Sequence, residues 1–390
     1  AWALERERLA AQGRSPWHPA NHNLQAWALS VMFWSPLLLW LGPALLPFLL
    51  MQAIFAYSLL SAAVCMVLRR ARLAWALATT VAWAAFISAC AILVQVCEQG
   101  TISYAEGGWI APWGIELRID LLNALVLLVV TAICAIVVTA SPRSFDQEIW
   151  PEHQPKVYAL YLLCMTGLAG MTVTGDAFNV FVFLEISSLS SYALISQGTT
   201  RRALTSAIQY LVMGTIGGTF ILLGIGMIYM VTGTLNIADL AARLPTMLDS
   251  RTVHMALAFL TVGISLKLAL FPLHLWLPNA YAFAPSVVSV FIAATATKVG
   301  VYVLLRLFFT VFGVQFSFAA MHVGDILMVL AAAAMLIASL VAVFQHNIKR
   351  MLAYSSVAQI GYIVLGISFA SVTGLTAGIV HIFNHALIKG

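Results

Sequence analysis

The chain has 390 residues, 62% of them apolar and only 8% charged, against about 25% charged in an ordinary soluble domain. A water-soluble fold of this composition would aggregate, so the bilayer is its solvent. The net charge of +5 does not signal a nucleic-acid binder, because the 19 Lys and Arg are mostly singles and pairs at the ends of apolar runs.

In chain order, the opening AWALERERLAAQGRSPWHPANHN is too charged for the apolar core of a signal peptide, so residues 1–23 are read as an extramembrane tail. Apolar runs of roughly 20 residues follow, the length a helix needs to cross about 30 Å of hydrocarbon. They lie near residues 24–42, 46–68, 73–97, 121–140, 157–174, 176–197, 205–232, 252–283, 286–312, 325–345, 352–370 and 373–390. The expected fold is an all-α polytopic membrane protein of about eleven or twelve transmembrane helices, depending on whether 24–42 is a full crossing. The run 252–283 is interrupted, because Pro272, Pro278 and Pro285 remove amide donors and displace carbonyls four residues back. The final HIFNHALIKG stops inside a helical pattern without a polar flank, so the chain is expected to be truncated at its C-terminus.

Charge in the loops sets an orientation. Arg69, Arg70, Arg72, Arg143, Lys156, Arg201, Arg202, Lys349 and Arg350 fall on one side, and Arg118, Arg243 and Arg251 on the other. The positive-inside rule puts the larger group in the cytoplasm, and the loop from Glu98 to Asp120 outside. The cysteines Cys65, Cys90, Cys97, Cys134 and Cys164 lie in or at the ends of apolar runs, with no CxxC and no histidine at ligand spacing, and read as buried thiols.

A charge at the centre of a spanning helix costs at least about 2.5–3.5 kcal/mol on insertion scales, so such residues usually face a bundle interior or a hydrated cavity. Glu185 sits near the middle of 176–197, about 15 Å from either end and too deep for a glutamate to snorkel. Lys267 is placed just over one turn before the proline break, where freed backbone groups commonly mark an ion or substrate site. Lys298 is central in 286–312, with Thr295 and Thr297 as its nearest polar neighbours. His381, His385 and Lys389 recur every four residues and share one helical face, a stripe suited to proton relay; a metal site is the weaker reading. His274, in the broken segment, either joins this pathway or satisfies a freed carbonyl. Asp176 and Arg306, near segment ends, take structural or snorkelling roles, and His254, His322 and His346 are interfacial.

From about residue 41 onward the chain resembles the proton-translocating antiporter-like family shared by respiratory complex I, membrane-bound hydrogenases and Mrp-type sodium/proton antiporters. The resemblance rests on DAFNVFVFLEISSLSSYAL, LKLALFPLHLWLPNAYAFAPSVVSVFIAATATKVGVY, NIKRMLAYSSVAQIGY and HIFNHALIKG. The phrasing around Glu185, with GGWIAPWGIELRID before it, is most similar to the D-type member of the Mrp antiporter. The resemblance implies an inverted-repeat fold with broken helices and an ion path through its middle. Its family glutamate and lysine positions match Glu185 and Lys267, a further lysine matches Lys298, and the family's histidine and lysine stripe matches His381, His385 and Lys389. Residues 24–120 are then N-terminal helices and an external loop, and 121–390 an incomplete translocating domain.

The expected function is that of a membrane subunit, in a multisubunit complex of the cell membrane, which translocates protons or exchanges sodium for protons. Its partners are other membrane subunits, the lipid bilayer and the ions, with no nucleic acid. No catalytic, cofactor or metal site is recognisable, and membership of a redox-driven complex stays open. The alternatives are an independent transporter of a small solute and a non-conducting scaffold.

Overall fold

The computed structural model describes residues 50 and 53–390. The tail expected over 1–23, the span over 24–42 and the beginning of the 46–68 span lie outside the described residues. The helices are α1 (Ser58–Val67), α2 (Ala71–Gln99), α3 (Leu121–Glu148), α4 (Gln154–Val173), α5 (Ala177–Ser196), α6 (Arg201–Thr232) and α7 (Ile237–Arg243). They continue as α8 (Arg251–Lys267), α9 (Trp276–Phe283), α10 (Ser286–Leu305), α11 (Val323–Val343), α12 (Ile348–Ser368) and α13 (Val372–Lys389). Eight of the described helices are long and apolar enough to cross a membrane: α2 to α6, α10 with its π-helical continuation to Val311, α11 and α12.

Several helix starts are encoded locally by side-chain caps. Asp120 caps α3 by accepting from the amides of Leu122 and Asn123, and Asn123 returns a bond to the Asp120 amide, closing a capping box. Asp176, Asn347 and Ser371 cap α5, α12 and α13 with single side-chain bonds. Helix α3 runs eight residues past its expected end at 140, straight through Pro142. The carbonyl that Pro142 leaves without an amide partner, that of Val138, accepts instead from Ser141 Oγ at 2.7 Å and Trp75 Nε1 at 3.0 Å. With that acceptor satisfied, the helix has no reason to stop.

The interruption expected in 252–283 is present, but Lys267 is at the break and not one turn before it. Helix α8 ends on Lys267, and Ala269 takes the left-handed conformation, φ 58°. This reverses the chain early enough that the carbonyls of Ser265 and Leu266 turn to other donors. Ser265 O accepts from the Leu270 amide at 2.9 Å, and Leu266 O from Trp276 Nε1 at 3.1 Å. The indole is held by stacking on Tyr210, with ring centroids 3.8 Å apart. Prolines opened the break, and the helix ended where its carbonyls could still find partners.

The helices pack with α5 between α4 and α6, α8 against α6 and α10, α10 against α3 and α13, and α11 against α12. Small residues set the approach of α4 to α5: a Cβ on Gly170 would collide with the Phe183 ring, and one on Gly167 with the backbone at Ser187.

The segment between α2 and α3, expected as an external loop, contains a hairpin of β1 (Ile102–Ala105) and β2 (Glu116–Ile119), antiparallel with Ile102 opposite Ile119 and Tyr104 opposite Leu117. Leu117 and Ile119 alternate with polar residues and point inward, the period-two pattern of a half-buried strand. The hairpin straps the loops beside it. Gly175 donates to Glu116 O and Ile237 to Gly175 O, both at 2.8 Å, and Asn236 Nδ2 donates to Glu116 Oε2. This hairpin end of the bundle carries Arg118, Asp120, Asp176 and Arg243. At the opposite end, Glu148 Oε2 accepts from the amide of Ser286 at the start of α10, and Lys349 donates to Ala284 O.

Candidate functional site

Capping by Asp176 starts α5 at the hairpin end, which places Glu185 halfway along the helix. Its carboxylate meets Lys267, whose Nζ lies 3.0 Å from Glu185 Oε1 and 2.9 Å from Ser188 Oγ. The lysine side chain is 7% exposed and the glutamate 25%, so the pair is shielded, less so on the carboxylate side. Gly218 of α6 lies directly under Glu185 Oε1, and any side chain there would occupy the carboxylate's place. The chain reversal after Lys267 carries the backbone on toward α10, where Leu268 packs against Gly300.

Lys298 belongs to a different neighbourhood. It is 1% exposed, and its Nζ donates to Ala293 O at 2.6 Å and Thr297 Oγ1 at 3.3 Å. Among the described residues no carboxylate pairs with it. Lys389, His385 and His381 of α13 all lie within electrostatic reach of it. His381 and His385 are parallel, their ring centroids 6.4 Å apart. His381 Nε2 is 2.6 Å from Gln359 Oε1, an acceptor, so Nε2 is the donor in this bond. His385 is fully buried and neither ring nitrogen has a hydrogen-bond partner. Lys389 donates to Leu352 O at 2.9 Å and Ser355 Oγ at 3.3 Å on α12.

His274 is buried in the break. Its ring stacks on Phe271 at 5.3 Å and meets Tyr354 edge-on at 6.3 Å, while its Nδ1 has no partner. The seven candidate residues therefore form two groups, Glu185 with Lys267 on α5 and α8, and Lys298 with the α13 stripe, with His274 at the break. Their chemistry is acid–base: fixed amines, imidazoles and one carboxylate, joined by hydroxyls. Among the described residues no group of three His, Cys, Asp or Glu side chains is placed to hold a metal ion.

Arg306 does not snorkel. Its Nη2 lies 2.5 Å from both carboxylate oxygens of Asp120, its Nε donates to Tyr302 at 3.1 Å, and it also meets Asn123 Oδ1. Sequence reasoning placed Asp120 at the end of an external loop and missed Asn123, Tyr302, Gly218 and Gln359. The available signals were the Asp-x-x-Asn capping pattern at 120–123 and the four-residue spacing of Lys298, Tyr302 and Arg306 on one helical face.

Residues 174–390 match a family model described as NADH:quinone oxidoreductase/Mrp antiporter, TM. The chain is 48% identical over 291 residues to an NADH-quinone oxidoreductase N-type chain of Desulforudis audaxviator, an alignment covering 74% of this chain and 56% of the relative. It is 29% identical over 298 residues to a Na(+)/H(+) antiporter D-type chain of Alkalihalophilus pseudofirmus, covering 76% and 59%. It thus spans somewhat more than half the length of these relatives. Among solved structures, a chain of the archaeal membrane-bound sulfane sulfur reductase, a respiratory membrane complex, superposes with a TM-score of 0.78 at 33% identity, covering 88% of this chain and 69% of that one. A chain of the Mrp complex from Dietzia sp. DQ12-45-1b superposes with a TM-score of 0.77 at 29% identity, covering 87% and 63%. By its motif-bearing core, its relatives and its fold, this multi-pass membrane chain belongs to the NADH:quinone oxidoreductase/Mrp antiporter transmembrane family.

Proposed function

We propose that this chain translocates protons, alone or in exchange for sodium, through its buried ionisable residues as one membrane subunit of a larger complex in the cytoplasmic membrane. The observation that carries the reading is the 3.0 Å Glu185–Lys267 pair at the end of a broken helix, with Lys298 beyond it buried and, among the described residues, without a counter-ion. Breaking a buried ion pair by removing one partner costs about 3–5 kcal/mol, and moving one charge against 100 mV takes about 2.3 kcal/mol. Opening and closing this one contact is thus of the right size to gate one charge. Like charges on Lys298, His385 and Lys389 disfavour simultaneous loading, so occupancy of one pushes a proton toward the next. The unpartnered His385 nitrogens are suited to water contacts, and water would join the groups.

The relatives' names support partners that are membrane subunits, and the loop charges support an orientation with the hairpin end outside. Flux of protons and of sodium into vesicles holding the whole complex tests the reading. Glu185→Ala and Lys298→Ala are each expected to lower driven flux at least about tenfold. Driven flux that is unchanged in both variants sinks the proposal.

A further inference from the structure

The face of α10 that carries Lys298 continues, one turn at a time, through Tyr302 to Arg306. The two cations are about 12 Å apart by helical rise. Exposure climbs along this line toward the hairpin end: 1% for Lys298, 3% for Tyr302, and 17% and 32% for the side chains of Arg306 and Asp120. From Tyr302 outward the polar groups are joined by hydrogen bonds, while Lys298 Nζ donates the other way, to Ala293 O and Thr297 Oγ1. Tyr302 OH accepts from Arg306 Nε at 3.1 Å and from Asn123 Nδ2 at 2.9 Å, and donates to Thr172 O at 3.2 Å. Arg306 closes the line with both oxygens of Asp120.

We propose that the Asp120–Arg306 pair is a closed gate at the hairpin end of the Lys298 face, a step that rests on the translocation reading above. Three features make it a gate and not a relay. A guanidinium does not deprotonate in a protein, so Arg306 cannot hand a proton on, and while it is paired with Asp120 it fills the line along this face. The gate is anchored on three elements at once, since Asp120 starts α3, Thr172 ends α4 and Arg306 ends α10. Arg306 is also the first residue of a π-helical stretch, Arg306–Val311. A π-helical hydrogen bond spans one residue more than an α-helical one, and its relaxation would swing this side chain without unfolding the helix. The gate opens when the pair separates, and the Tyr302 hydroxyl then stands between Lys298 and solvent.

The test is the collapse of an imposed pH gradient in de-energised vesicles carrying the protein in its native assembly. Arg306→Gln is expected to speed collapse about tenfold. The charge exchange Asp120→Arg with Arg306→Asp returns it toward the parental rate. Where Arg306→Gln does not accumulate in the membrane, Asp120→Asn, which keeps a hydrogen-bonding side chain, is read in the same way. A parental leak rate in whichever of these variants accumulates overturns the gate, as does a leak that persists in the charge exchange. Adding Lys298→Ala separates the two ideas. Loss of driven flux in Lys298→Ala with no leak in Arg306→Gln fails the gate alone, and unaffected driven flux in Lys298→Ala and Glu185→Ala fails the reading beneath it.

Discussion

At Gly218 the absence of a side chain positions an acid on another helix. A methyl group there would land on Glu185 Oε1, and because the neighbouring backbone of α6 is fixed, the carboxylate must move. Gly218→Ala is therefore expected to lengthen the 3.0 Å contact with Lys267 and to lower driven flux about tenfold. Gly226→Ala on the same helix meets nothing within 4 Å and is expected to leave flux unchanged. Equal flux in the two variants would show that the placement of the carboxylate does not matter. Glu185, Lys267 and Lys298 were legible in the sequence because a charge inside an apolar run has few explanations. Gly218 was not, since it adds no polar signal and its role exists only across a helix interface. For Arg306 the sequence left a structural and a snorkelling role open for a related reason: a position near a span end suits either, and the partner Asp120 that decides for the structural one lies 186 residues away.

Among the elements, the broken helix was visible as prolines, while its exact end depended on hydrogen-bond closure. Ala269 is the pivot, fully buried and at φ 58°. An L-residue there costs about 1–2 kcal/mol, and a β-branched one more. Ala269→Val is expected to lower the thermal midpoint of the purified protein, and Ala269→Gly to change it by less, because glycine accepts this conformation freely. The reverse order would mean that the reversal after Lys267 is not the constraint assigned to it. Pro142 carries the complementary lesson. Proline is a helix-stop signal in sequence, yet Ser141 and the Trp75 indole from α2 satisfy the carbonyl it orphans, and α3 continues.

For the whole molecule, the hairpin is the feature that composition concealed. Its two four-residue strands are too short to raise a strand signal against apolar helices on either side. Asn236 shows what they do, since it bonds Glu116 and caps α7 through the amides of Ala238 and Asp239. Asn236→Ala removes the cap and the strap together and is expected to destabilise by about 1–2 kcal/mol. Hydrogen exchange should then quicken at the amides of Gly175, Ala177 and Ile237, and unchanged exchange there would separate the hairpin from the loops it is drawn to. By itself the sequence determined that this is a helical membrane protein, where its apolar spans run and which buried charges need an explanation, because the bilayer admits few backbone solutions and penalises every charge. The resemblance already implied that Glu185 pairs with Lys267, and the structure supplies the contact. Only the tertiary structure decided that Asp120 meets Arg306 and that the α13 stripe packs on the helix of Lys298, because these depend on helix contacts between residues far apart in the chain that no local pattern encodes.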